Sequence, residues 1–122
     1  MKYRCLIRNI EVAATPEERV RQALLNLMIH ELGYPKSNFV VERCLSAYGG
    51  PERRLDILFF RGSEPQLLIE CKKEKIDEKA RAQVLGYNHY IGSKEIVLAA
   101  WGQIQRFDGS NWVNFLAPYS AK

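Results

Sequence analysis

The residues of this chain best placed to do chemistry lie in the stretch RRLDILFFRGSEPQLLIECKKEK, residues 53–75. Two apolar runs flank a short polar link, the pattern of a β-hairpin. Asp56 interrupts the first run, and Glu70 and Lys72 close the second. Side chains alternate along a strand, so Glu70 and Lys72 share a face and Cys71 points the other way. A short link makes the two strands antiparallel neighbours, with opposed Cβ atoms about 4.5–5.5 Å apart. Asp56 then meets the Glu70–Lys72 end of its partner. Two carboxylates at that spacing repel, and they are costly to desolvate. A divalent cation removes the conflict. Hard ions such as magnesium, with manganese as a substitute, take carboxylate, carbonyl and water oxygens, and the Cys71 carbonyl offers one more. Lys72 beside such a site can orient or deprotonate an attacking water, while the cation stabilises charge building on a phosphate. The same spacing also describes a cross-strand ion-pair cluster on the surface, worth about 0.2–1 kcal/mol per pair. What favours a site is the context: the acids interrupt strands otherwise nearly solid with Leu, Ile and Phe.

Those residues need a scaffold, and the surrounding sequence predicts one. In TPEERVRQALLNLMIHELGYP, Thr15 suits an N-cap, Pro16 the first helical position, and Glu18 the third place of a capping box. Val20, Ala23, Leu24, Leu27 and Met28 form an apolar stripe at helical spacing, and Gly33 and Pro35 end the pattern, which predicts a helix over 16–32. Residues 3–12 alternate loosely, as a strand or an irregular arm. NFVVERCLSAY reads as a strand and GGPE as a turn. Strands are expected over 54–60 and 67–72, joined by the loop RGSEPQ. Ile76, Ala80, Val84, Tyr87 and Ile91 predict one face of a second helix. EIVLAAW reads as a buried strand, and QIQRF-DGSN-WVNF as a closing hairpin turning at Asp108 and Gly109. The order is helix, three strands, helix, then strands: an α/β sandwich around a mixed sheet.

At 122 residues the chain is expected to form one domain with one modest core, and 47% hydrophobic residues suit folding over disorder. No apolar run reaches the length of a membrane span, and the charged start predicts no signal peptide. Cys5, Cys44 and Cys71 are an odd number with no CxxC, which suits a reducing, cytoplasmic setting over a disulfide scaffold or a structural zinc. A net charge of +4 permits a polyanionic partner without demanding one. His30 reads as a helix-end residue favoured by the dipole and His89 as a partly exposed helix residue, neither with a metal role. Trp101, Phe107 and Trp112 read as core.

LDILFF…LLIECKK resembles the PD-(D/E)XK nuclease core, with Asp56, Glu70 and Lys72 as its Asp, Glu and Lys. TPEERVRQALLNLMIHELGYP, RRLDILFF, LLIECKKEK and QVLGY, in that order, resemble the N-terminal nuclease domain of type I restriction enzyme motor subunits. The likeness covers roughly residues 15–100. It implies a restriction-endonuclease-like fold, a mixed β-sheet flanked by helices in α-β-β-β-α-β order. It implies a magnesium-dependent DNA hydrolase, most simply an endonuclease of a restriction-modification system. Asp56, Glu70, Lys72 and Gln83 would be its catalytic residues, and Asp56, Glu70, the Cys71 carbonyl and Glu17 its metal ligands.

In many related nucleases a first-helix glutamate completes the metal shell, and Glu17 and Glu18 compete for that role. Glu17 with Val20 fits the pattern, Glu18 has a capping-box role of its own, and stabilising the positive helix end would also explain Glu17. The Q-x-x-x-Y pair there positions substrate or the lysine, and Gln83 and Tyr87 match it. Lys73, Lys75, Lys79 and Arg81, together with Tyr87, could bind DNA beside the cleft, or could simply form a solvated helix face. The family's domain usually precedes a translocating ATPase, and no GxxxxGK[ST] occurs in this sequence, which leaves separate motor or specificity subunits as candidate partners. A homodimer would let a one-site chain reach both strands of a duplex. The alternative is a catalytically silent DNA-binding or assembly module of the same fold.

Overall fold

The structure is a computed structural model, and it describes residues 2–114 and 116–120. A six-stranded sheet is formed by β3 (Phe39–Val41), β4 (Ile57–Arg61), β5 (Glu64–Cys71), β6 (Glu95–Ala100), β7 (Gln103–Phe107) and β8 (Trp112–Val113), in that spatial order. Every neighbouring pair is antiparallel except β5 and β6. That parallel pair requires a crossover, which α2 (Glu78–Ile91) supplies. The first helix, α1 (Pro16–Asn26), precedes β3, and so the run from α1 to β6 reads helix, three strands, helix, strand. The sheet is therefore mixed and flanked by helices, as expected.

Residues of opposite parity along the strands build two cores. Ile57, Phe59, Leu67, Ile69, Cys71 and Val97 pack with Val20, Leu24, Leu25 and Met28 of α1. Leu58, Leu68, Ile96 and Leu98 pack on the other face with Ala80, Val84 and Ile91 of α2. By the same alternation Asp56 and Glu70 fall on the α2 face, in line with Leu58 and Leu68.

Thr15 caps α1 with extended backbone, and its Oγ1 accepts from the Glu18 backbone N–H at 3.1 Å. Only half of the capping box forms. The Thr15 N–H donates to the Ala13 carbonyl, and the Glu18 carboxylate turns to Arg21 and Gln22 instead. Thr15→Ala is thus expected to cost about 0.5–2 kcal/mol in urea unfolding. A loss below that range would mean that the hydroxyl bond contributes little.

The buried stripe is rotated from the expected one. Leu25 is fully buried while Ala23 is exposed, and the rotation draws Glu18 and Arg21 into the core face. Beyond Asn26 the helix continues as a single widened turn over Leu27–Glu31, closed by the Leu32 N–H on the Leu27 carbonyl at 3.0 Å.

Three segments differ from the sequence reading. Residues 3–12 are a small hairpin, β1 (Lys2–Arg4) against β2 (Glu11–Ala13). NFVVERCLSAY is a strand only to Val41: Glu42 takes φ 55°, which breaks the strand, and Leu45–Tyr48 coil into a 3-10 turn. Leu45 is buried, and a Cβ on Gly50 would meet its Cγ at 2.7 Å and that of Tyr90 at 3.1 Å, so this loop lies tight against α2. The link between β4 and β5 is shorter than RGSEPQ, because β5 begins at Glu64. The closing hairpin turns at Asp108, whose Oδ1 accepts from the Ser110 and Asn111 N–H groups at 2.9 Å. Phe115, the last residue of its expected second strand, lies outside the described residues.

Candidate functional site

The β4–β5 register pairs Ile57 with Ile69, so Asp56 stands opposite Glu70 where β4 begins and β5 ends. The backbone ties the two together. The Asp56 N–H donates to Glu70 Oε1 at 3.2 Å, and the Cys71 N–H donates to Asp56 Oδ2 at 2.7 Å. Glu70 is only 4% exposed, whereas Asp56 is half-buried and opens to solvent. Burial pushes the Glu70 carboxyl well above the usual carboxylate range, and the Asp56 charge pushes it further; Lys72 opposes both. Burial also raises the Cys71 thiol, again with help from Asp56 and Glu70, so this sulfur stays protonated in its apolar setting.

Lys72 follows β5, held by its N–H on the Ala99 carbonyl of β6 at 2.8 Å. Its Nζ donates to Gln83 Oε1 at 3.0 Å. Gln83 and Tyr87 project from successive turns of α2, and both are half-buried. Burial raises the Tyr87 phenol; the Arg53 guanidinium, 5.3 Å from its ring centre, counters that, and the Glu70 and Asp56 charges add to it. The structure thus gathers Asp56, Glu70, Lys72, Gln83 and Tyr87 at one end of β4 and β5, under α2. An acid pair faces a fixed ammonium, an arrangement able to hold a cation and to organise water beside a phosphate.

A family model described as type I restriction enzyme R protein N terminus (HSDR_N) matches residues 16–107. The chain belongs to this family. No curated protein and no solved structure matches it. The R-protein segment includes both helices, strands β3 to β7 and every residue of the gathered site. The β1–β2 hairpin and β8 lie outside it.

The remaining residues singled out in the sequence are placed less uniformly. Lys73, Lys75 and Lys79 are exposed around a shallow cleft of about 270 Å³ that also takes in Lys72 and Gln83. Glu74 and Asp77 line it too, so the cleft is mixed in charge. Arg81 is half-buried and already engaged: its Nε donates to Gln105 Oε1 at 2.9 Å, and its Nη1 pairs with Glu78.

Glu17 is exposed in the first turn of α1, on the helix that covers the opposite face of the sheet, and no contact among the described residues joins it to Asp56 or Glu70. Glu18 is the buried glutamate of that turn, and it is committed to Arg21. Among the described residues no group of three or more His, Cys, Asp and Glu side chains is placed to hold a metal.

Trp101 is not core. It is 59% exposed in the turn after β6, where the strand runs out of the sheet, and the Arg19 guanidinium lies over its ring at 3.8 Å. Phe107 and Trp112 are half-buried, with their rings tilted against each other at 5.2 Å between centres. A larger groove of about 870 Å³ runs between α1 and the β6–β7 turn. Its lining carries no titratable side chain, which separates it from the chemistry.

Two features escaped the sequence reading. One is Arg53, whose only signal was its place three residues before Asp56. The other is a buried ion cluster. Arg21 Nε donates to Glu18 Oε2 at 2.9 Å and Nη2 to Glu42 Oε1 at 2.8 Å, while Arg8 reaches Glu42 Oε2 at 2.9 Å. The Glu42 N–H also donates to the Asp56 carbonyl at 3.0 Å, so the cluster abuts the backbone of the site. No helix among the described residues is long and apolar enough to cross a membrane.

Proposed function

We propose that this R-protein N-terminal chain is a metal-dependent nuclease of PD-(D/E)XK type that hydrolyses phosphodiester bonds in DNA. The observation that carries the reading is the Asp56–Glu70 pair: two carboxylates held opposite each other, one of them buried, with Lys72 fixed beside them. A buried carboxylate facing another is a poor structural choice unless something positive joins it.

The donor set fits magnesium. Magnesium keeps several waters and is commonly held by one or two carboxylates, so a third acidic ligand is not required. Asp56, Glu70 and the Cys71 carbonyl would hold it. Glu17 would need to approach from the other face of the sheet, and we leave it out of the set. The bound ion would supply positive charge to the phosphate oxygens as they gain negative charge. Lys72 would place the attacking water, and Gln83 would hold the ammonium in position. The water oxygen would bond to phosphorus and give up a proton to solvent, while the bond to the leaving sugar oxygen breaks and that oxygen takes up a proton from solvent. Lys73, Lys75 and Lys79 would attract the DNA backbone, with motor and specificity subunits as further partners.

The test is cleavage together with metal-linked stability. Purified protein should nick or degrade DNA in magnesium or manganese, and EDTA should stop it. A ligand bound only by the folded state stabilises it by RT ln(1 + [L]/Kd), so millimolar manganese should raise the melting temperature. Asp56→Asn should raise it without metal, because the repulsion on Glu70 is gone, and should remove most of the manganese response. A melting curve blind to manganese, with salt-sensitive DNA binding and no cleavage, would instead support a silent binding module.

A further inference from the structure

We propose that Arg53 is a phosphate-binding residue of this site, with the Tyr87 ring as the platform that fixes its guanidinium. Arg53 is exposed, and among the described residues no carboxylate pairs with it. Its side chain lies over Tyr87 at 5.3 Å, within the range of a cation–π contact. Its backbone is held as firmly as its side chain is open. The Leu45 N–H donates to the Arg53 carbonyl at 2.6 Å, and Arg54 bridges Cys44 as a short antiparallel pair. The same loop is pinned to α2 by buried Leu45 and by the close approach of Gly50 to Tyr90. An arginine with an ordered stem, a stacked head and unspent donors loses little freedom on gripping an oxyanion.

The position fits a phosphodiester approaching the carboxylates. Lys72 rests on Gln83, and Arg53 rests on Tyr87, four residues further along α2. That step is about 6 Å of helix rise. Two cations therefore rest on α2 side chains one helical turn apart, with Asp56 and Glu70 acting electrostatically on the same tyrosine. The lysine is directed to the water and the reacting phosphate, while the arginine's planar fork suits bidentate contact with phosphate oxygens. The identity of the ligand as DNA rests on the function proposed above; the geometry of the clamp does not.

The experiment measures affinity for a short fluorescent DNA duplex in EDTA over a salt series, and steady-state cleavage in manganese. Arg53→Ala should weaken binding about tenfold, the scale of a lost charge-assisted hydrogen bond. The slope of log K against log salt should fall by about 0.9, one phosphate contact. Arg53→Lys should restore the slope but not the full affinity, because a lysine neither stacks nor binds bidentately. Tyr87→Phe should keep the platform, and Tyr87→Leu should fall towards Arg53→Ala. In cleavage, Arg53→Ala should raise KM more than it lowers kcat.

Wild-type affinity and slope in a folded Arg53→Ala would overturn the proposal, and so would an indifferent Tyr87→Leu for the platform. Cleavage by wild type with an indifferent Arg53→Ala sinks the clamp and leaves the nuclease reading. Binding that depends on Arg53 without any cleavage sinks the nuclease reading and leaves the clamp. Protein that neither binds nor cleaves removes both.

Discussion

Lys72→Ala is expected to lower the DNA cleavage rate by roughly 10²- to 10⁴-fold, the usual contribution of a positioned proton-handling or water-orienting group. The expectation follows from where the ammonium sits. Its Nζ is anchored on Gln83 Oε1 at 3.0 Å, and its backbone is locked to β6. A side chain held from both ends delivers its charge to one place, and that place adjoins the carboxylate pair. The fold should tolerate the change, because Lys72 is half-buried and contributes no large apolar surface to either core. Its removal does leave Glu70 with less opposing charge, so a small drop in melting temperature should accompany the large drop in rate. Plasmid cleavage in manganese, with variant and wild type purified side by side, provides the measurement. Equal rates in the two would mean that the activity does not pass through this lysine, and the proposed chemistry would be abandoned.

The site was readable in the sequence for a physical reason. Acids set into apolar strands violate the pattern that a buried sheet demands, and a short link makes the two strands antiparallel neighbours. That brings Asp56 to the Glu70–Lys72 end, but its direct opposition to Glu70 depends on the register shift between Phe59 and Phe60, which no sequence pattern announced. The period of α2 put Gln83 on one face with Tyr87, while its place beside the lysine came from the resemblance to the family's Q-x-x-x-Y pair; the structure supplies the bond to Lys72. The helices and the strands β4 to β7 were legible because their apolar patterns are long.

The stretch from Glu42 to Arg54 was legible only at its GGPE turn. Its conformation turns on a glutamate at φ 55°, a geometry that sequence pattern does not announce for a residue with a Cβ. The contacts beside it come from distant segments: Arg8 from the β1–β2 hairpin, Arg21 from α1 and Arg54 from the loop itself all converge on Glu42. The rotation of α1 has the same origin. An apolar stripe of Val20, Ala23, Leu24, Leu27 and Met28 is the better hydrophobic face, yet the helix gives up Ala23 to bury Glu18 and Arg21. Trp101 failed for a simpler reason. A tryptophan at the end of an apolar run looks buried, but the run leaves the sheet one residue earlier.

Arg21→Ala is expected to destabilise the protein by about 3–5 kcal/mol, the cost of leaving a buried charge without its partner. Arg21 is 5% exposed and Glu18 is 6% exposed, so neither can recover its hydration when the other is lost. Against a total stability of roughly 5–15 kcal/mol, this is a large share. Urea unfolding measures it directly. The pH dependence gives an independent reading. Burial raises the carboxyls of both Glu18 and Glu42, but the hydrogen bonds and charge of Arg21, with the Gln22 hydrogen bond at Glu18 and the Arg8 and Arg54 charges at Glu42, outweigh it and hold each below the usual range. The stabilisation they contribute is therefore complete above the ordinary glutamate pKa of about 4.3, and it is lost as pH falls through the depressed folded values. In Arg21→Ala, burial and the Glu42 charge act on Glu18 against the Gln22 hydrogen bond, so its carboxyl moves up and the charged form becomes a cost near neutrality. The gap between wild type and variant should be widest at pH 7 and should close towards acid. Glu18→Leu combined with Arg21→Met should recover much of the loss, since a packed apolar pair can replace a buried ion pair. If Arg21→Ala costs less than about 1 kcal/mol at pH 7, the pair is acting as an exposed one, and the reason offered here for the rotation of α1 fails with it.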